Sequence, residues 1–479
     1  MTAQQLLALA PILSLSLTVI VLMAQTSIRR NPRLAWWIAA VGLLVTLWCA
    51  EYAGGFTQQV TPLFNVDLWG LWFSALLVFA ALVSLLLARD AFPAEGHRKE
   101  EFYLLLLLAT LGAVVLAQAC HIASLLLGME LMGIALYAMI AFPKDGSLPL
   151  EAAIKYLVLS ACASAMLLFG FALVYAATGD LSYAGIGAKV GAAYGQNPVL
   201  VMAGSAMVLA GVSFKLSLAP FHMWTPDVYQ GAPTTVTSFL ATLSKGAMFI
   251  ALTRFVIDGQ LYHYPALVNA LAALAMASIL IGNWLALRQT QIKRLLAYSS
   301  TAHIGYLLVI LISLPQLAEG SQLAPLGRAA VSYYLAAYIV TTLAALSVVH
   351  MIGGEDDTDL RAYSGLFWRH PVQAATLSVA MLSLAGIPLT AGFIAKFYVI
   401  VLSYDAQLWW LLGTLVVGSA IGIYYYLRVI FSMASAAQGA SPAGDSQLGW
   451  RNPLAILLML MVLGLGTLPQ TFIDLASQF

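Results

Sequence analysis

The sequence predicts an all-α polytopic membrane protein with about fourteen transmembrane helices, and three observations carry the prediction. Hydrophobic residues fill 62% of the 479 positions while Asp, Glu, Lys and Arg fill only 9%, where a soluble domain carries about a quarter charged residues. A mean hydropathy of +0.90 leaves too few polar groups to coat a water-facing surface, so lipid is the solvent. The apolar runs are long and apolar all round, without the alternation of a membrane β-barrel.

A bilayer core of about 30 Å takes roughly 20 apolar residues as a helix. On that measure spans fall near 5–26, 34–52, 67–88, 101–119, 121–142, 152–177 and 198–219. The rest fall near 234–256, 264–287, 293–314, 328–352, 371–401, 406–428 and 453–473. The first run, Leu6 to Ala24, has no basic segment before it and reads as a spanning helix, not a cleavable leader. The longest polar stretches, near 354–370 and 436–451, are loop-sized. The spans divide into a three-helix segment (1–100), two five-helix repeats (101–256 and 257–430) and a C-terminal helix (431–479). An odd number of helices per repeat inverts the second against the first.

Loop charges set the expected orientation. With the N-terminus outside, the inner loops receive Arg29, Arg30, Arg33, Arg89, Arg98, Lys99 and Lys144. They also receive Arg288, Lys293, Arg294, Arg361, Arg369, Arg428 and Arg451, whereas Lys189, Arg254 and Arg328 fall outside. Fourteen against three is a strong positive-inside bias, and an even span count returns the C-terminus to the outer face.

Four of the 21 basic residues remain, Lys155, Lys215, Lys245 and Lys396, and all lie within apolar runs. Glu130, in LLLGMELMGIALY, is the mid-span acid. A charge at a helix centre costs about 2.5–3.5 kcal/mol on insertion scales, so these groups call for partners and mark function. For Lys155 a static reading stands beside the functional one, because Glu151 is one turn away at i−4. Two lysines sit beside helix breakers. Pro220 follows Lys215 and removes the partner of the Leu216 carbonyl; Pro388 precedes Lys396 and does the same to Leu384. Broken helices at membrane depth are tolerated only in protein or around a wet cavity, and paired breaks point to a transport site. His303, in AYSSTAHIGYL, is a candidate relay or a hydrogen-bonded core residue. His222 would share the face of Lys215 two turns on if that helix continued past Pro220. His97, His121, His263 and His370 fall at loops or helix ends, with His350 near a span end, and no pair suggests a haem. Cys49, Cys120 and Cys162 are scattered and form no cluster-binding motif.

The stretch FKLSLAPFHMWTPDVYQGAPTTVTSFLATLSKGA resembles the signature of the antiporter-like subunits of respiratory complex I. QTQIKRLLAYSSTAHIGY and LSLAGIPLTAGFIAKFYV resemble that family's second-half signatures, and the likeness runs from about 100 to 430. EFYLLLLLATLGAVVLA and VGSAIGIYYYLRV are most similar to the subunit N type of bacterial NADH–quinone oxidoreductase. The L type carries a further lateral helix, and the M type has a glutamate where this chain has Lys396.

The resemblance implies two linked proton half-channels. Glu130 and Lys215 would form an ion pair in the first, Lys245 would connect the two, and Lys396 would face the exit with His303 as a possible relay. It places no cofactor on this chain, with NAD, FMN, iron–sulfur clusters and quinone expected in partner subunits of a bacterial inner-membrane complex. Other subunits, lipid and protons are the expected partners, and nucleic acid is not. Lysine suits the task because burial lowers its proton affinity and a nearby carboxylate raises it. A cation/proton antiporter subunit and a purely structural scaffold are the competing readings.

Overall fold

The computed structural model describes residues 2–91, 99–143, 147–314, 324–353, 359–435, 451–470 and 472. Arg98, Lys144 and His97 lie outside them, as do 354–358 and 436–450 within the two polar stretches.

The chain begins with α1 (Ala3–Ala8), whose Thr2 and Gln5 form a reciprocal cap, and α2 (Ala10–Ile28), with Pro11 in its first turn. Proline is accepted there because the first N–H groups of a helix have no intrahelical partner. α3 (Pro32–Ala53) starts likewise at Pro32, with the Asn31 side chain accepting from the amides of Arg33 and Leu34. A short antiparallel hairpin, β1 (Gln58–Thr61) and β2 (Phe64–Val66), leads to α4 (Leu68–Ala88), capped by Asp67. Then come α5 (Lys99–Gln118), α6 (Ile122–Ile140), α7 (Ser147–Thr178), α8 (Tyr183–Gln196) and α9 (Pro198–Leu216). Beyond a break follow α10 (Trp224–Gly231) and α11 (Thr234–Phe239), a π-helical turn over Leu240–Ser244, and α12 (Lys245–Asp258). The remainder is α13 (Pro265–Leu287), α14 (Ile292–Ser313), α15 (Ala324–Gly353), α16 (Leu366–Arg369), α17 (Pro371–Ala385), α18 (Ala391–Asp405), α19 (Trp409–Ala434) and α20 (Arg451–Thr467).

Each of the fourteen predicted spans contains a helix. Twelve among the described residues are long and apolar enough to cross a membrane. The other two predicted spans are the 17-residue α20 and the stretch 371–401, which is two helices with the break expected near Pro388 between them. α8 was not foreseen. Its small, glycine-rich sequence carries no span-length apolar run, and Gly187 lets its backbone meet Gly259, whose carbonyl leaves no room for an added Cβ.

The helices form two compact groups, Met1–Ser217 with Leu243–Val268, and Leu218–Thr242 with Asn269–Gln478. In the first group α5 packs on α6 and α7 on α9. Both approaches run backbone to backbone. A Cβ on Gly112 would fall 2.6 Å from the carbonyl of Gly128, and one on Gly170 would fall 2.8 Å from that of Gly204. Small residues at such crossings let helices associate by close packing where lipid supplies no hydrophobic drive. In the second group α15, α17, α18 and α20 pack together, and α14 contacts α15, α18 and α19. The membrane-length windows of α14 and α15 are almost wholly buried, which explains sequences apolar on every side.

Candidate functional site

In the first group the site is built on α6, α7 and α9. Lys215 lies in the last turn of α9 and is 7% exposed. Its ammonium donates to Ser160 Oγ of α7 at 2.7 Å, and Tyr137 of α6 donates its O–H to the same Oγ at 2.7 Å. Glu130 sits two turns before Tyr137, half-buried, with Oε1 shielded from solvent and unmatched by any hydrogen bond. Lys215 therefore rests on a neutral hydroxyl, and the Glu130–Lys215 hydrogen-bonded ion pair implied by resemblance is not closed. The ammonium passes over α6 at its glycine: a Cβ on Gly133 would stand 3.9 Å from Lys215 Nζ and 3.3 Å from the Tyr137 hydroxyl. Gly133 lies one helical turn from Glu130 on α6.

The break after Lys215 differs from the expected kink. α9 stops at Leu216 because Ser217 turns left-handed (φ 59°), three residues before Pro220. His222 lies beyond that stop, so it does not share a helix face with Lys215. Its buried ring packs on Tyr298, 6.0 Å between centroids. Lys245, 1% exposed, is the first residue after the π-helical turn. Such turns occur mostly as single bulges, frequently at functional sites. Glu151 and Lys155 form the i,i+4 pair their spacing predicts, at 2.7 Å, on an exposed face of α7.

In the second group Lys396, 7% exposed, donates to the carbonyl of Ala385 at 2.9 Å, the last residue of α17. The break is again made by a left-handed residue, Gly386 (φ 84°), with Pro388 in the connecting segment. The carbonyl that Lys396 takes is one residue beyond the Leu384 carbonyl expected from Pro388. The lysine also lies 5.3 Å from the centre of the Tyr306 ring. His303 is wedged between two phenols, Nδ1 2.9 Å from Tyr334 and Nε2 3.3 Å from Tyr426. Tyr426 in turn hydrogen-bonds Ser299. Asn283 joins Tyr306 at 3.1 Å and accepts from Tyr425 at 2.9 Å. A cavity of about 10 Å³, room for roughly one water, is lined by His303, Tyr334, Tyr338, Thr341 and Ser383. Ser383 ties it to the helix break by accepting from the Gly392 amide at 3.0 Å. Tyr338 donates to the carbonyl of Ala241 at 3.0 Å, inside the π-helical turn.

Sequence reasoning missed the hydroxyls. Ser160, Tyr137, Tyr334 and Tyr426 complete the contacts of Lys215 and His303, and only the run Tyr424–Tyr426 offered a local signal. It also took Lys293 for a loop charge, whereas the structure buries it wholly in the first turn of α14, donating to the Ala232 carbonyl at 3.0 Å. Arg254 is buried too, paired with Asp67 and donating to the Ala117 carbonyl at 2.7 Å. Outside the spans, Lys189 and then Ser182 hold the Asp180 carboxyl well below the usual carboxylate range, and Ser182 caps α8. Among the described residues no cluster of three or more His, Cys, Asp or Glu could hold a metal.

Buried lysines on broken or tightly packed membrane helices, with hydroxyls around Lys215 in one group and around His303 in the other, are the arrangement an ion-translocation subunit calls for. Residues 119–422 match the family described as NADH:quinone oxidoreductase/Mrp antiporter, transmembrane. The chain belongs to this family, as an antiporter-like, proton-translocating membrane subunit. It is 32% identical to a chain of respiratory complex I from Thermus thermophilus, covering 97% of this chain and 98% of that one, with a TM-score of 0.82. The fold recurs in an archaeal membrane-bound sulfane sulfur reductase at 22% identity, 99% and 96% coverage and a TM-score of 0.85. It recurs also in the Mrp complex of Dietzia sp. at 20% identity, 100% and 97% coverage and a TM-score of 0.84.

Proposed function

We propose that this chain is the subunit N type of a bacterial NADH–quinone oxidoreductase and moves protons through Glu130, Lys215, Lys245, His303 and Lys396. The observation that carries the site reading is Lys215, buried yet held by a hydroxyl and not by its acid. A carboxylate favours the charged form of a neighbouring lysine far more than a hydroxyl does. Closing the pair with Glu130 loads Lys215, and opening it releases a proton toward Lys245. In the second group His303 and its phenols can pass hydrogen bonds in either direction, since a neutral imidazole donates at one nitrogen and accepts at the other. Lys396 stands at the helix break toward the exit. Free energy comes from NADH oxidation in partner subunits that carry NAD, FMN, iron–sulfur clusters and quinone. The identity to a complex I chain along nearly its whole length supports this assembly.

A cation/proton antiporter subunit is the second reading, favoured by full-length likeness to an Mrp chain. Proton uptake by inverted membrane vesicles separates them, driven by NADH or by an imposed sodium gradient. In the NADH-driven assay, Lys245→Ala and Lys396→Ala lower uptake at least about tenfold with assembly intact, as loss of a proton-transfer group does. Lys→Arg fails as well, because a guanidinium keeps its proton. Full uptake in the alanine variants would leave these lysines a structural role only.

A further inference from the structure

We propose that Ser160 is the second seat of Lys215: its hydroxyl holds the ammonium whenever the pair with Glu130 is open. This rests on the proton-translocating reading above and adds a positioning residue to it. An ammonium has three donors and no acceptor, so a buried lysine that leaves its carboxylate must find another oxygen. Ser160 supplies one, fully buried and 2.7 Å from Nζ.

Three features of the fold make this a built seat. Tyr137 donates to the same oxygen at 2.7 Å, which occupies one lone pair and turns the other toward Lys215. Gly170 against Gly204, and Gly211, where an added Cβ would fall 2.9 Å from the Ala163 carbonyl, set α7 and α9 so close that serine reaches the lysine directly. Gly133, one turn from Glu130, leaves α6 without a side chain beside the ammonium, where an added Cβ would stand 3.9 Å from Lys215 Nζ. Ser160 needs no change of protonation. It offers a dipole where Glu130 offers a charge, and the difference between the two seats makes the switch.

The test is NADH-driven proton uptake by vesicles containing the assembled complex, with Lys215→Ala measured in parallel. Ser160→Ala is expected to lower uptake about tenfold, the equivalent of one charge-assisted hydrogen bond. Ser160→Thr keeps the hydroxyl and retains uptake to within about twofold, whereas Ser160→Cys matches serine in size but accepts poorly and behaves as alanine. A packing role gives the opposite order, with threonine worst at this close crossing. Tyr137→Phe costs less than Ser160→Ala, and the double variant is no worse than Ser160→Ala alone. If Ser160→Ala fails to assemble, Ser160→Cys takes its place with the same expectation. Wild-type uptake in Ser160→Ala or its stand-in, with uptake lost in Lys215→Ala, overturns the second seat and leaves the lysine relay standing. Uptake retained in Lys215→Ala overturns the relay itself.

Discussion

At the scale of the residue, Glu130 and Lys215 are expected to act as one unit. Oε1 of Glu130 is shielded and has no hydrogen bond, while Lys215 leans on Ser160, so each charge depends on the other for compensation. Removing one member leaves a buried charge unpaired, which costs about 3–5 kcal/mol or forces the survivor neutral. Glu130→Gln and Lys215→Ala should each abolish most NADH-driven uptake, and the double variant should be no worse than the worse single. Losses that add in free energy would show two independent sites and end the switching mechanism. The charged members of the candidate site were legible as buried groups because a lysine or glutamate in an apolar run is costly and therefore conspicuous. Ser160 and Tyr137 were not, since single hydroxyls are ordinary in membrane helices. Nothing in the sequence pairs Ser160 with a lysine 55 positions away.

At the scale of the element, helix breaks adjoin two of the candidate lysines, Lys215 and Lys396. The prolines announced both, but the stops are made by Ser217 and Gly386 in left-handed backbone, and the oxygen that Lys396 uses belongs to Ala385. Proline is legible as a missing donor, whereas a left-handed residue depends on how the next segment packs. Gly386 serves two purposes. Its φ of 84° suits glycine, and a Cβ there would stand 2.8 Å from Lys396 Cδ. Gly386→Ala should therefore cost about 1–2 kcal/mol in backbone strain and also push Lys396 off the Ala385 carbonyl. Uptake should fall with a lowered thermal midpoint of the purified complex. A normal midpoint with normal uptake would show that the break adapts and that the Lys396 seat is not shaped by this glycine.

At the scale of the whole molecule, the span pattern was legible because length and all-round apolarity are local properties, whereas α8 and the burial of Lys293 depend on packing between distant segments. That burial also refines the orientation. Lys293 and Arg254 are both inside the protein, so neither acts as a free loop charge. Removing Lys293 from the inner set and Arg254 from the outer leaves thirteen basic residues against two, and the bias strengthens. Basic residues near span ends resist translocation, so the loops that hold the thirteen are expected on the cytoplasmic side. On that expectation the N-terminus and, through the even span count, the C-terminus are predicted on the outer side. A phosphatase reporter that is active only outside should be active when joined after Lys189 and inactive when joined after Arg98 or Arg288. A reporter that works only inside should give the complementary pattern at the same three positions. Activity of the phosphatase after Arg98 and Arg288, with silence after Lys189, would reverse the orientation and with it the direction assigned to the relay from Lys215 to Lys396.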